Sequence, residues 1–379
     1  MKVGRVLSIV AFFSIYNILM FYLGWNGLVW LKAMFSFQQE ILYWITVTVL
    51  SYAYILGRMV KPLSALSVVG SIWFGFIQYG LLFFPLANFA VWILGVSGVP
   101  GDTAVVWVGT VTAIMLAGVF AFGTYNAYSP VIRKYEVSIP KKNKMGKLHI
   151  AVASDMHFGK LSGVAHAKRL VKTMERIKAD LILLPGDIID DDPKHFQKKN
   201  MGAILKQLHA PLGIYGVLGN HEYYGREIPA FLNEMKNVDI RILMDEVIQI
   251  GESFYLLGRK DKTDIRRKTF NQLVKDMKLD GSLPLIAMDH QPAELKEAQE
   301  NGVDLIVSGH THKGQMAPNH FITRRLFELD WGYLKKGQLH AFVSSGFGFW
   351  GPPLRIGSRS EVMEILVKFE GKEGRLNHE

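Results

Sequence analysis

Four long apolar stretches, 6–31, 41–57, 65–96 and 104–122, fill most of the first 128 residues, and none contains Asp, Glu, Lys, Arg or His. A helix needs about 20 residues at 1.5 Å rise to cross a bilayer, so the first and last stretches fit. The second is short, but Tyr43, Trp44, Tyr52 and Tyr54 suit the membrane interfaces. The third is overlong: Pro85 kinks it, or one end lies in the interface, or it crosses twice. Up to Tyr128 the only acidic side chains are Glu40 and Asp102, whereas charged residues are dense beyond it. The expected organisation is a transmembrane anchor of about four helices over 1–128, a basic juxtamembrane linker over 129–147, and a soluble domain over 148–379. The first stretch lacks a small-residue cleavage pattern and is followed by three more, which argues against a removable signal peptide.

Lys and Arg placement sets the expected orientation. Lys2 and Arg5 precede the first stretch, Arg58 and Lys61 separate the second from the third, and Arg133, Lys134, Lys141, Lys142, Lys144 and Lys147 follow the fourth. The opposite side offers only Lys32. Both termini and the soluble domain are therefore expected in the cytoplasm, on the inner face of the cell membrane. A third stretch crossing twice would reverse that. Uncharged spans disfavour a transporter or pump, which places ionisable groups inside the membrane. The formal charge of +10 fits a surface facing anionic lipid; no DNA- or RNA-binding motif accompanies it. With no cysteine in the chain, thiolate ligands and a cysteine nucleophile are excluded.

After Lys147 short β-rich runs alternate with amphipathic helical stretches, as in an α/β sheet architecture. Strands are expected at 148–154, Leu181–Pro185, 214–218, Leu285–Met288 and Leu305–Ser308. Helices are expected at 166–179, 196–208, 228–236, 270–277 and 293–300, with a hairpin over 246–258 and a strand-like tail at 361–369. The residues just beyond each of the five strands are informative. In order these are Asp155-Met156-His157; Gly186-Asp187, then Asp190; Gly219-Asn220-His221-Glu222; Asp289-His290; and Gly309-His310-Thr311-His312. Open α/β sheets bind ligands beyond the C-terminal ends of their strands. Any one group reads as turn chemistry; five in order at strand ends do not.

The donors are carboxylates, imidazoles and one amide, a set that suits Mn, Fe, Zn or similar divalent ions. Asp155, His157, Asp187, Asn220, His290, His310 and His312 are numerous enough for two ions, with Asp187 as the natural bridge. Two such ions against two carboxylates attract a phosphate and activate a hydroxide for hydrolysis. His221 is left for the leaving group, as proton donor and charge stabiliser. Asp190 reads either as the carboxylate that orients this imidazole or as a helix cap or solvated turn with Asp191 and Asp192.

This combination of motifs resembles the calcineurin-like metallophosphoesterase superfamily over roughly 147–369. The later Ser344-Ser345-Gly346-Phe347-Gly348 and Trp350-Gly351-Pro352-Pro353-Leu354-Arg355 resemble its bacterial membrane-associated branch. The resemblance implies a four-layer α/β/β/α sandwich following the N-terminal all-α bundle. It implies a first metal on Asp155, His157, Asp187 and His312, and a second on Asp187, Asn220, His290 and His310. His221 matches the catalytic histidine, with Asp190 as its partner. Lys313 stands where glycine is common, and Glu222 replaces an aspartate, a mild change beside the site. The expected activity is hydrolysis of a phosphomonoester, phosphodiester or pyrophosphate. The aromatic and basic segment 320–336, leaving directly from the Gly-His-Thr-His turn, points to a lipid or lipid-linked substrate. A soluble phosphoester or nucleotide with the anchor only setting location, or a metal-binding scaffold without turnover, are the other readings.

Overall fold

The computed structural model describes residues 2–141, 143–276, 279 and 281–370. The chain divides into two compact units, with the break at Gly123. The first holds α1 (Lys2–Phe35), α2 (Glu40–Met59), α3 (Leu66–Val96) and most of α4 (Gly101–Tyr128), whose last five residues, 124–128, belong to the second unit. All four are long and apolar enough to cross a membrane. The third stretch is a single 31-residue helix that runs through Pro85 without a break. It is about 46 Å long at 1.5 Å per residue, enough to span once with tilt. Polar groups inside the bundle pair across helices: Tyr16 donates to the Ser51 carbonyl (2.5 Å) and Tyr43 to the Gly24 carbonyl (2.6 Å). Trp30 Nε1 likewise donates to Thr110 Oγ1. Such pairing is what a medium without water demands.

The second unit contains two six-stranded sheets. The first has the order β1-β12-β2-β3-β4-β5. Its strands are β1 (Val131–Ile139), β2 (Lys147–Val152), β3 (Leu181–Pro185), β4 (Ile214–Val217), β5 (Ile240–Ile242) and β12 (Glu361–Phe369). The second has the order β10-β11-β9-β8-β7-β6. It comprises β6 (Glu246–Ile250), β7 (Phe254–Gly258), β8 (Leu285–Met288), β9 (Leu305–Ser308), β10 (Gly332–Lys336) and β11 (Leu339–Val343). Period-two alternation explains the layering. In β2, Ile150 and Val152 face the second sheet and pack with Leu256, Ile286 and Val307, while Ala151 between them joins Leu170 and Met174 of the helix Val164–Ile177. On the other side, Phe270 and Leu295 from short helices cover Leu257, Ala287 and Ile306. The result is the expected α/β/β/α sandwich. Because both sheets are covered on both faces, their central strands are almost uniformly apolar.

Strands β2 to β5 run parallel, as do β7, β8, β9 and β11. Their C-terminal ends therefore gather along shared edges, and the ligand-type residues with them. One expectation fails. Residues 131–139, read as part of a linker, form β1, which pairs with β12 in parallel over nine residues from Val131↔Glu361 to Ile139↔Phe369. Its Arg133, Lys134 and Glu136 are edge-strand charges that discourage further pairing, and they masked a strand as basic linker. The expected helix 196–208 is two, Pro193–Lys198 and Met201–Leu205, because Asn200 between them takes a left-handed conformation (φ 48°). The expected helix 270–277 runs Phe270–Asp276; its last residue, Met277, and the tail 371–379 lie outside the described residues.

Candidate metal centre

The chain turns sharply after β2, β3 and β9. Asp155, His157, Asp187, His310 and His312 all have positive φ, from 45° to 71°, a region that ordinary side chains rarely enter. Each such residue costs on the order of 1–3 kcal/mol and persists only where its surroundings over-determine it. Here the loops after β2 and β3 are laced together: Asp155 N donates to Gly186 O, His157 N to Asp187 O, Phe158 N to Ile188 O and Asp190 N to Phe158 O. Glycines permit the close approach. A Cβ at Gly219 would meet Asp187 Oδ1 at 2.2 Å, and one at Gly309 would meet Asp155 Oδ2 at 2.2 Å.

The turns bring the expected residues together in two overlapping groups. In one, His157 Nε2 and His312 Nε2 face each other at 3.1 Å, with Asp155 Oδ1 3.6 Å from His312. In the other, His290 Nε2 lies 3.1 Å from Asn220 Oδ1 and 3.2 Å from Asp187 Oδ2, and His310 Nδ1 lies 2.9 Å from the same amide oxygen. Asp187 Oδ2 is also 3.8 Å from His157 Nε2, so this carboxylate touches both groups. Its other oxygen accepts the backbone N–H of His221. His290 Nδ1 donates to the Pro185 carbonyl (2.8 Å), which directs Nε2 into the cluster.

This is an environment for a cation. A carboxylate oxygen, an amide oxygen and an imidazole nitrogen converge within about one hydrogen-bond length of each other, and nearly all are buried. Burial opposes charge on His290, yet Asp187 beside it holds that imidazole well above its usual value. Burial, with cationic neighbours, lowers His157 to about 3 and His310 to about 4, and drives His312 well below the usual range. These three rings are neutral near pH 7, the form that ligates metal. The donor set therefore fits divalent ions. Three such groupings, Asp155–His157–His312, His157–Asp187–His221 and Asp155–Asp187–His290, could each hold one.

His221 stands at the rim of this cluster, at the start of the short helix Asn220–Gly225. Its partner differs from expectation. Nδ1 is 2.7 Å from Asp191 Oδ1 but 3.7 Å from Asp190 Oδ1. The chain turns left-handed at Asp191 (φ 55°), and the second carboxylate of the run, not the first, makes the hydrogen bond. Burial works against charge on His221; the bond from Asp191 and the charges of Asp187, Asp191 and Asp190 outweigh it and push the group up to about 9.

Two residues of the strand-end motifs have supporting roles that the sequence reading did not assign. Glu222 is fully buried and accepts three backbone N–H groups, from Gly219 (2.7 Å), Asp187 (3.1 Å) and Ile189 (3.1 Å). It pins the β3 turn to the β4 turn. The signal was a Glu three residues after a helix cap. Asp289 sits beside His290 and is held by Arg259 (2.9 Å) and Arg267 (3.1 Å). Nothing local in the sequence marks that long-range ionic cluster.

Residues 148–314 match the family model described as calcineurin-like phosphoesterase. The chain is 30% identical over 258 residues to an uncharacterized metallophosphoesterase of Aquifex aeolicus, covering 66% of this chain and 97% of that one. It is 31% identical over 259 residues to an uncharacterized metallophosphoesterase of Helicobacter pylori strain J99, covering 67% and 68%. A transmembrane protein with metallophosphoesterase domain from Danio rerio is 27% identical over 276 residues, covering 68% of this chain and 62% of that one. Similarity of this degree along almost the whole of the Aquifex protein establishes that the chain belongs to the calcineurin-like metallophosphoesterases.

Proposed function

We propose that this phosphate-ester hydrolase works at two divalent metal ions that share Asp187, and that its substrate is a lipid or lipid-linked phosphate. The observation that carries the two-ion reading is that Asp187 belongs to two of the buried donor groups at once. Asp155, His157, Asp187 and His312 would hold the first ion, and Asp187, Asn220, His290 and His310 the second. Bound there, such ions supply Lewis acidity toward phosphoryl oxygens and lower the pKa of water.

The chain's own residues do the rest. Neutral His157, His310 and His312 offer lone pairs. Glu222 and the turn hydrogen bonds hold the donors at fixed spacing, so little reorganisation is needed. His221 carries a proton held in place by Asp191 and delivers it to the leaving oxygen.

The lipid reading is supported by the short helix His320–Leu326, which begins eight residues after His312 and has no buried residue. Phe321, Ile322 and Leu326 are 60–70% exposed, beside exposed Arg324 and Arg325. Apolar groups flanked by cations suit the headgroup boundary. The other aromatics of this segment are engaged elsewhere. Trp331 donates to Glu361 and lies under Lys313, while the Phe327 ring abuts His310. Four membrane-length helices in the same chain favour a substrate that is itself met at a bilayer. The test is a triple Phe321→Ser, Ile322→Ser, Leu326→Ser chain assayed on a lipid phosphate and on a small soluble ester. Selective loss on the lipid is expected. Equal loss on both, no loss on either, or no lipid turnover by the intact protein would leave the soluble-ester reading standing.

A further inference from the structure

The segment 344–361 touches the metal centre through a buried arginine that the mechanism above does not use. Arg355 is completely buried, and among the described residues it forms no ion pair with a carboxylate. Its guanidinium donates instead to the carbonyls of Gly346 (3.1 Å) and Gly348 (2.6 Å) and to Ser358 Oγ (3.2 Å). Its Nη2, which makes both carbonyl contacts, also lies 3.2 Å from His312 Nδ1, the ring nitrogen that does not face His157. The loop it holds grips the other side of the cluster: Phe347 N donates to Ser154 O and Gly348 N to Asp155 O, both at 2.8 Å. One planar fork thus fixes the backbone under Asp155 and abuts His312. Glu361 and Asp155 act on its charge from beyond ion-pair distance; a buried cation with no carboxylate in direct contact is costly, and a loop that needed only closure could use apolar packing.

The backbone of Arg355 has its own anchor. Asn126, buried in the last turn of α4, donates from Nδ2 to the Arg355 carbonyl (3.1 Å), and its own carbonyl accepts Ser360 N (3.0 Å). Arg359 adds bonds to the Ser129 carbonyl and hydroxyl (both 2.8 Å).

We propose that Arg355 is a positioning residue for the Asp155 and His312 side of the metal centre, and that Asn126 at the end of α4 holds it in register. This rests on the two-ion reading. The test uses the full chain in detergent, stripped with chelator and titrated with Mn²⁺, with bound metal counted and turnover of an aryl phosphodiester followed. In Arg355→Met and Arg355→Lys, which loses the fork but keeps the charge, one of the two sites should weaken on the order of 10–100-fold. The other site should stay as in wild type, and excess Mn²⁺ should restore turnover. Asn126→Ala should shift the same site by less. If Arg355→Met does not fold, Arg355→Lys and Asn126→Ala decide the matter. Two wild-type sites with unchanged affinities in both variants overturn the role of Arg355. Equal weakening of both sites, unrelieved by excess metal, makes it a structural residue only and also overturns it. A wild-type chain that takes up no Mn²⁺ overturns the two-ion reading, and this assignment with it.

Discussion

Asp191, not Asp190, hydrogen-bonds His221: its Oδ1 lies 2.7 Å from the ring Nδ1, a full ångström closer than Asp190 Oδ1. The contact engages Nδ1, so that Nε2 is the nitrogen left to serve the leaving group, and it is one of the causes that push the ring's pKa up to about 9.

The donor form of His221 is present below its pKa and lost above it, so turnover of esters with poor leaving groups should decline along an alkaline limb. Removing the bond from Asp191 lowers that pKa. In Asp191→Asn the limb should move to lower pH, and in Asp190→Asn it should move less. Aryl esters, which need little protonation, should show the limb weakly in all three proteins. A pH–rate profile of kcat for both ester types is the measurement; a larger shift from Asp190→Asn would return the role to the residue expected from sequence.

Glu222 should matter for stability and for the site together. Glu222→Ala strips three buried backbone N–H groups of their acceptor, at roughly 1–3 kcal/mol for each group left unsatisfied. The expected outcome is a fall in thermal midpoint together with weaker metal uptake, because the Asp187 turn is then unpinned. Glu222→Gln keeps one acceptor oxygen and should lie between. A surface-like response, with the midpoint unchanged, would contradict the structure.

The path from sequence to site was uneven for physical reasons. Strand-end ligands were legible because parallel strands deliver their C-terminal residues to one edge, and the covered sheets made β2, β3, β4, β8 and β9 mostly apolar. Strands β1 and β10 were not, since Arg133, Lys134, Lys335 and Lys336 break the apolar pattern of half-exposed edge strands. The β5 strand, three residues long, carries too little pattern to find. The choice between Asp190 and Asp191 depends on one left-handed residue, which no periodicity announces. Arg355 approaches His312 from 43 residues away, a proximity that no local pattern announces.

Sidedness can be tested cleanly because the chain has no native cysteine. The basic flanks of α1, α2 and α4 lead to the expectation of a cytoplasmic catalytic unit. In intact cells a membrane-impermeant maleimide should label Ser97→Cys, between α3 and α4, and should not label Ile265→Cys, on a 96% exposed side chain of the catalytic unit. After lysis both should react. The reverse pattern in intact cells would put the active site outside.

The central claim is that Asp187 serves both halves of a dinuclear centre. The most direct measurement is turnover of Asp187→Asn beside wild type at saturating Mn²⁺, with bound metal counted in the same samples. Two ions are expected in wild type, fewer in the variant, and a loss of at least about 10³-fold in kcat, roughly 4 kcal/mol of barrier, while the folded content is retained. Near wild-type turnover in Asp187→Asn, or full wild-type activity after exhaustive chelation, would contradict it.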